Sequence, residues 1–199
     1  VDDDHVFSGF AAYKQVIDSG VDVVILAEPP HYRPAHLRYA IEKGKHVFCE
    51  KPVAVDAPGV RHVLETTQLA KDKDLSIVSG LCWRYHFGVR ETMKRIADGA
   101  IGDLTSVQEN YLTGVLWFRG DRSKFDSEME YQNRNWYYFT WLSGDHIAEQ
   151  FIHSLDKSLW LMGDTPPAKA VGLGGRQVRT GEEWGNIYDH HAVCYEWAN

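Results

Sequence analysis

Two short apolar runs, separated by a helix-like segment, constrain the fold of this chain more than any other feature. The first run covers 21–27 and the second covers 46–49. Near-continuous apolar runs of strand length are typical of parallel sheets, in which a helix connects one strand to the next. The runs end in the polar turns Glu28-Pro29-Pro30 and Glu50-Lys51-Pro52. Because ligands bind at the carboxyl ends of such strands, Lys51 is a candidate functional residue.

The segments around these runs carry the signals of helix ends. Pro34 in a first turn and Gly44 after a last turn predict a helix between the two runs. A shorter helix over 8–18 is closed by Gly20, and Asp56 is a predicted cap for a third helix. Residues 75–79 are predicted to form another parallel strand. The resulting order, βαβαβ, is that of a parallel α/β sheet.

The pattern changes near Asp103, where we place a boundary between a domain over 1–102 and a second domain over 103–199. Residues 105–111 alternate between polar and apolar, which predicts an antiparallel strand. Residues 114–135 show no clear period and are predicted to form a long functional loop.

A helix is predicted over 146–162, with Asp145 as its cap and Gly163 after its end. On a helical projection, one arc is apolar and is predicted to face the core. A second arc holds two imidazoles and two carboxylates within about 80° of one another. We name this arc the polar stripe, and its members are His146, Glu149, His153, Asp156 and Trp160.

Three of these segments resemble one known family: Ala27-Glu28-Pro29-Pro30, Glu50-Lys51-Pro52 and 144–156 are similar to the glucose-fructose oxidoreductase, inositol dehydrogenase and MocA (Gfo/Idh/MocA) family. The similarity extends over essentially the whole chain. It implies a Rossmann domain that binds NAD or NADP, a second α+β domain with a largely antiparallel sheet, and oxidation or reduction of sugars, polyols and their acids. The family's glycine-rich turn would precede residue 1, so we interpret this chain as the middle part of a longer protein.

The resemblance also implies the site residues. Lys51 and His153 are the expected catalytic groups, with Glu149 at the position where the family usually has aspartate. Desolvation and the positive nicotinamide would disfavour a charged Lys51, so its amine could take the substrate's hydroxyl proton, and His153 would share the relay. A cis bond before Pro52 would aim Lys51 out of the strand. The expected cofactor-binding residues are Ala27, Pro29, Pro30, His31, Glu50, Lys51, Pro52 and Arg84; Arg84 fits an ion pair between domains equally well.

Three alternatives stay open. The first is a sugar lyase or glycosidase that oxidises the sugar with tightly held NAD and regenerates the cofactor in the same cycle. The second is a metal site on the polar stripe, although its two histidines are seven residues apart and do not form an H-E-x-x-H motif. The third is a dehydrogenase-like binding protein that has lost turnover.

Composition limits the partners and the location. The net charge of −7 and the absence of a dense basic stripe argue against nucleic-acid binding. No apolar run is long enough for a membrane span, and no signal-peptide pattern is present. We favour a cytoplasmic location, with export open because the chain begins inside a longer protein. The three cysteines are widely spaced and are predicted to be free thiols. A homo-oligomer through the second domain is expected, and the substrate is a carbohydrate or polyol of unassigned identity.

Overall fold

A computed structural model describes residues 1–198 of the chain. The chain divides into two compact units. The first contains Val1–Gly80 and Trp141–Gly144; the second contains Leu81–Thr140 and the described residues from Asp145 onward. The domain boundary near Asp103 stays a prediction from the sequence.

The first unit contains a three-stranded parallel sheet with the strand order β1-β2-β3. Its register pairs Val23 with His46 and Val47 with Ile77. This sheet confirms the predicted parallel α/β fold. The elements of the unit are Ala12–Asp18 (α1), Val23–Leu26 (β1), Arg33–Glu42 (α2), His46–Cys49 (β2), Ala57–Asp72 (α3) and Ile77–Ser79 (β3).

Local sequence signals set the ends of these helices. The Asp56 carboxylate accepts a hydrogen bond from the Gly59 N–H at 2.7 Å, so it caps α3 as predicted. Gly44 follows α2 with a φ of 76°, a left-handed conformation that glycine adopts without steric cost. The Lys51-Pro52 peptide bond is cis.

The core of the first unit lies on one side of β1. Val24 and Leu26 are buried, whereas Val23 and Ile25 are 58% and 70% exposed. A near-continuous apolar run predicts a strand that is buried on both faces, and for β1 this prediction is wrong. The helix α2 packs against β1 and β2 on the buried side. An apolar run shows that a strand favours burial, but the packing of neighbouring elements decides which faces are covered.

The second unit contains an antiparallel pair of strands, Lys169–Gly175 (β4) and His190–Glu196 (β5). This pair confirms the antiparallel character predicted for the second half of the chain. The remaining α- and π-helices are Phe87–Ala97 (α4), Glu128–Arg134 (α5), Thr140–Ser143 (α6), the π-helical Ile147–Phe151, and Ile152–Leu161 (α7). The last three residues of α6 group with the first unit, and the other helices of this series belong to the second. No helix in the described residues is long and apolar enough to span a membrane.

Two predictions for the second half of the chain are wrong. Residues 105–111 belong to no strand. Alternation favours a strand, but a strand forms only where a neighbour completes its hydrogen bonds, and the described pairing in this unit joins β4 to β5. Residues 114–135 are not all loop, because α5 lies within them. Ser127 accepts a hydrogen bond from the Glu130 N–H at 3.1 Å, a helix-capping signal that the periodicity did not include.

The helix predicted over 146–162 is present, but its buried face differs from the prediction. It begins with a π-helical segment, Ile147–Phe151, and continues as α7. Its buried residues are the polar Glu149, Gln150, Ser154 and Asp156. The residues of the predicted apolar arc are only partly buried. A π-helical segment contains more residues per turn than an α-helix, so a projection at α-helical spacing assigns its side chains to the wrong faces.

Candidate functional site

The turn after β2 is held by backbone hydrogen bonds from both neighbouring strands. The Glu50 N–H donates to the Leu26 carbonyl at 2.9 Å, and the Gly80 N–H donates to the Cys49 carbonyl at 2.8 Å. The Lys51 N–H donates to the Glu50 carboxylate at 3.2 Å. Lys51 is partly exposed and Pro52 is buried. The lysine therefore leaves an ordered backbone at the carboxyl edge of the sheet.

The Glu50 side chain lies against the residue that follows β3. A Cβ atom added at Gly80 would lie 2.5 Å from one Glu50 carboxylate oxygen and 3.1 Å from the Glu50 Cα. Both distances are shorter than ordinary van der Waals contact. Glycine at position 80 thus makes room for the Glu50 side chain between the ends of β2 and β3.

Arg33, the first residue of α2, connects the turns that follow β1 and β2. Its Nη1 donates to the Pro52 carbonyl at 2.7 Å, and its Nη2 donates to the Glu28 carbonyl at 2.5 Å. The residue is 4% exposed. Arg33 was not among the site residues predicted from the sequence. The available signal was its position three residues after Pro30 and immediately before Pro34.

The turn after β1 holds the remaining predicted cofactor residues of this unit. Pro29 is partly buried and Pro30 is buried, whereas Ala27 is exposed. His31 is exposed as well, and its backbone N–H donates to the Leu142 backbone carbonyl at 3.1 Å. The imidazole of His31 packs edge-on against the indole of Trp141, with ring centroids 5.0 Å apart.

A stacked imidazole follows the same turn. His36 Nδ1 lies 3.0 Å from the Glu28 carboxylate. The His36 ring stacks between Tyr13, at 3.8 Å between centroids, and Tyr32, at 5.9 Å. His36 is a residue of α2, and its imidazole also fixes the position of the Glu28 side chain.

In the second unit, Glu149 and His153 lie on successive turns of one helix. Glu149 is 2% exposed, and its carboxylate accepts a hydrogen bond from the Gln150 amide at 2.6 Å. The side-chain carbonyl oxygen of Gln150 accepts a hydrogen bond from the Tyr111 hydroxyl at 2.7 Å. The Tyr111 ring is nearly parallel to the His153 ring, with centroids 6.5 Å apart. Tyr111 thus contacts His153 directly and Glu149 through Gln150.

The sequence analysis selected neither Tyr111 nor Gln150 as a site residue. Burial and the neighbouring Glu149 carboxylate raise the pKa of Tyr111, so its hydroxyl stays a hydrogen-bond donor at neutral pH. The two residues are 39 positions apart, and no local spacing pattern relates them. A tyrosine in a predicted strand gave no reason to expect this contact.

A cavity of about 440 Å³ opens beside this helix within the second unit. Burial lowers the pKa of His146, so this imidazole is neutral at neutral pH. The His146 ring meets Tyr111 and His191 edge-on, at 5.9 and 6.0 Å between centroids. The aromatic and imidazole groups that line the cavity are Tyr111, His146, Phe151, His190, His191 and Tyr195.

Arg84 is held by two carboxylates of its own unit. Its guanidinium lies 2.9 Å from Asp156 and 2.7 Å from Asp164. It also lies over the Trp160 indole, 4.8 Å from the ring centre. These contacts favour the ion-pair interpretation over a cofactor contact, although the partners lie within one unit. The cofactor role of Arg84 stays a prediction.

The described residues do not group three or more His, Cys, Asp or Glu side chains into an arrangement that could hold a metal ion. Of the polar stripe, Asp156 is paired with Arg84 and Glu149 is bonded to Gln150. Both carboxylates therefore have partners in the protein.

Residues 2–79 match a family model described as an oxidoreductase family with an NAD-binding Rossmann fold. Residues 2–79 therefore belong to the Gfo/Idh/MocA family. This membership agrees with the parallel sheet of the first unit and confirms the resemblance drawn from the sequence. It also confirms NAD or NADP as the cofactor class.

Several curated proteins are similar to the chain. An uncharacterised oxidoreductase of Streptococcus pneumoniae is 28% identical over 90% of this chain and 44% of its own length. A 2,7-anhydro-N-acetylneuraminate hydratase of Escherichia coli is 27% identical over 85% of this chain and 41% of its own length. An inositol 2-dehydrogenase of Pseudomonas syringae is 40% identical over 41% of this chain and 27% of its own length. The chain spans less than half the length of these relatives.

Solved structures share the fold of the chain. A myo-inositol 2-dehydrogenase of Lactobacillus plantarum matches with a TM-score of 0.66 and 21% identity, over 92% of this chain and 50% of its own. A protein of gentamicin A biosynthesis, solved in complex with NAD, matches with a TM-score of 0.67 and 17% identity, over 93% of this chain and 47% of its own.

The side chains at the carboxyl edge of the sheet fit one end of the family's cofactor. Glu28 and Glu50 supply carboxylates that can accept hydrogen bonds from ribose hydroxyls, and Lys51 supplies a donor or a base. A Rossmann pyrophosphate site uses a glycine-rich turn between a strand and a helix. In residues 1–198, no such turn follows β1, β2 or β3. The residues at this edge therefore offer groups suited to ribose hydroxyls, and their contact with NAD stays a prediction.

Proposed function

We propose that the protein containing this chain is an NAD(P)-dependent oxidoreductase that moves a hydride between a carbinol carbon of a sugar or polyol and the nicotinamide. The observation that supports it best is the position of Lys51. This lysine follows β2 of an NAD-binding Rossmann sheet, in a turn that is bonded to β1 and to the residue after β3. An amine at this edge of the sheet is suited to act on a substrate bound beside the nicotinamide.

Lys51 is proposed to act as the base. In the oxidation direction, its neutral amine takes the proton of the substrate hydroxyl, and the C–O bond becomes a carbonyl. NAD bound at this edge of the sheet would supply the acceptor for the hydride that leaves the same carbon. His153 is proposed to share the proton, and the tyrosine ring that stacks beside it holds the imidazole plane. Glu149 supports His153 as a buried carboxylate on the preceding helical turn.

Replacement of Lys51 tests this assignment. We expect Lys51→Met in the natural protein to lower the turnover of a polyol substrate by about 10²–10⁴-fold, the usual contribution of a general base. Cofactor affinity, measured by quenching of tryptophan fluorescence, should stay within a few-fold of wild type. Lys43→Met, at an exposed lysine that pairs with Asp18, is the matched control and should leave turnover unchanged. Normal turnover by Lys51→Met would refute the proposal.

An internal redox cycle is the second candidate function. It is favoured by the hydratase relative, which matches over 85% of this chain. Oxidation at one sugar carbon acidifies the neighbouring C–H bond, which permits elimination, and the hydride then returns to the product. An oxidoreductase with net turnover accumulates reduced nicotinamide when substrate and free NAD are added. An enzyme with an internal cycle converts its sugar without this change in absorbance.

A further inference from the structure

We propose that Arg33 is a positioning residue that holds the turn from which Lys51 projects. This inference rests on the function proposed for Lys51. Arg33 does not itself reach a substrate, because it is 4% exposed. Its role would be to tie the backbone beside Lys51 to the turn that follows the neighbouring strand.

The geometry of the guanidinium supports this role. One nitrogen donates to the Pro52 carbonyl, immediately after Lys51, and another donates to the Glu28 carbonyl. These carbonyls follow different strands, and each would need another donor if the guanidinium were removed. The planar fork of arginine can serve two acceptors at once in a fixed geometry, whereas lysine presents a single ammonium group. Arg33 thus sets the spacing between the two turns.

The placement of this cation is unfavourable for the helix that carries it. Arg33 begins α2, and a positive charge at a helix N-terminus opposes the helix dipole. Burying a cation also costs free energy, and well-packed apolar residues commonly replace buried ion pairs without loss of stability. Helix stability therefore does not explain an arginine at this position. Its hydrogen bonds to the two turns do.

Charged side chains belong to both turns that Arg33 contacts. The Glu28 carboxylate belongs to the turn that Arg33 contacts, and the Glu50 carboxylate belongs to the turn before Pro52. Both carboxylates and Arg33 act electrostatically on the thiol of Cys49, the last residue of β2. The arginine thus lies within the electrostatic field of the same strand end that carries Lys51.

The test measures the surroundings of the Lys51 amine directly. Lysines of the natural protein are dimethylated with ¹³C-formaldehyde, and the resonance of Lys51 is assigned by its loss in Lys51→Arg. We expect Arg33→Met to move this resonance toward those of exposed lysines. Arg38→Met is the control, since Arg38 lies on the same helix and pairs with Glu42 at the surface. An unchanged Lys51 resonance in folded Arg33→Met would overturn the proposal.

Turnover supplies the second measurement. We expect Arg33→Met to lower kcat with myo-inositol, or with another polyol that the wild type oxidises, by about 10²-fold, since a displacement near 1 Å can have this effect. KM for the polyol should change little. If Arg33→Met fails to fold, Arg33→Lys is the second variant, because it keeps the buried charge without the planar guanidinium. We expect its Lys51 resonance to be displaced in the same way. A wild-type Lys51 resonance in Arg33→Lys would refute the positioning role of Arg33.

The two measurements separate this inference from the function it rests on. A wild-type protein that oxidises no polyol would remove the proposed function, but the Lys51 resonance would still show whether Arg33 positions that amine. Conversely, normal polyol oxidation with an unchanged resonance in Arg33→Met would leave the function standing and remove the role of Arg33.

Discussion

Cys49 shows how one residue can belong to the core although it adjoins a functional turn. It is the last residue of β2 and is 1% exposed, with Glu50 and Lys51 directly after it. Burial raises the pKa of its thiol to about 11, and the nearby Arg33 opposes this rise in part. The thiol is therefore protonated at neutral pH and packs as a small apolar group.

Thiol labelling tests this environment. With iodoacetamide at neutral pH, we expect Cys82 and Cys194 to react and Cys49 to react at least about 100-fold more slowly, because its raised pKa lowers the thiolate fraction and burial limits access. Peptide mass spectrometry measures the extent at each site. Full labelling after unfolding in guanidinium serves as the control. Equal rates at the three cysteines in the folded protein would contradict the buried position of Cys49.

The end of β3 and the turn after β2 depend on one another through Gly80. The glycine leaves the space that the Glu50 side chain occupies, and its N–H completes a backbone hydrogen bond with Cys49. Local signals predicted both strands. They could not indicate that a side chain at position 80 would meet Glu50, because Glu50 lies 30 residues earlier in the chain.

Substitution at this position should destabilise the end of the sheet. We expect Gly80→Ala to lower the free energy of unfolding by about 1–3 kcal/mol, the usual cost of overpacking. Chemical denaturation measures this change. Gly114→Ala, at a glycine with no atom within 4 Å of an added Cβ, is the control and should have a smaller effect. In a Glu50→Ala background, Gly80→Ala should cost less. An equal cost in both backgrounds would argue against the contact.

The elements whose ends carry strong local signals were predicted best. Asp56 caps α3 and Gly44 follows α2, as expected, because a cap depends on atoms within one turn of the chain. The alternating residues 105–111 form no strand, because a strand also needs a partner from elsewhere in the chain. The π-helical segment Ile147–Phe151 changed which side chains of its helix are buried, and α-helical periodicity could not include it.

At the level of the whole molecule, the proposed chemistry uses groups from both compact units. Lys51 lies in the first unit, and Glu149 and His153 lie in the second. The proposal that they act on one substrate rests on the resemblance of 144–156 to the family's catalytic helix. If both residues act on one substrate, the effects of their substitutions on turnover are coupled, and this coupling can be measured.

A double-mutant cycle measures this coupling. If Lys51 and His153 move the same proton, Lys51→Met and His153→Ala will not be additive. We expect the double variant to turn over within about tenfold of the slower single variant, as is found for residues that act as a unit. Steady-state kcat with one polyol is the measurement for all four proteins. Fully multiplicative losses would show that the two residues act independently.

The order of strands and helices in the first half, the lysine at the carboxyl edge of the sheet, the family and its cofactor could all be predicted from the amino-acid order. Each depends on short segments with strong local preferences: apolar runs, caps, and a turn that follows a strand. The bridge from Arg33 to two turns, the burial of Glu149 and its link through Gln150 to Tyr111 became visible only in the folded chain. Arg33 and Pro52 are 19 positions apart and Tyr111 and Gln150 are 39 apart, and packing rather than local preference brings such residues together.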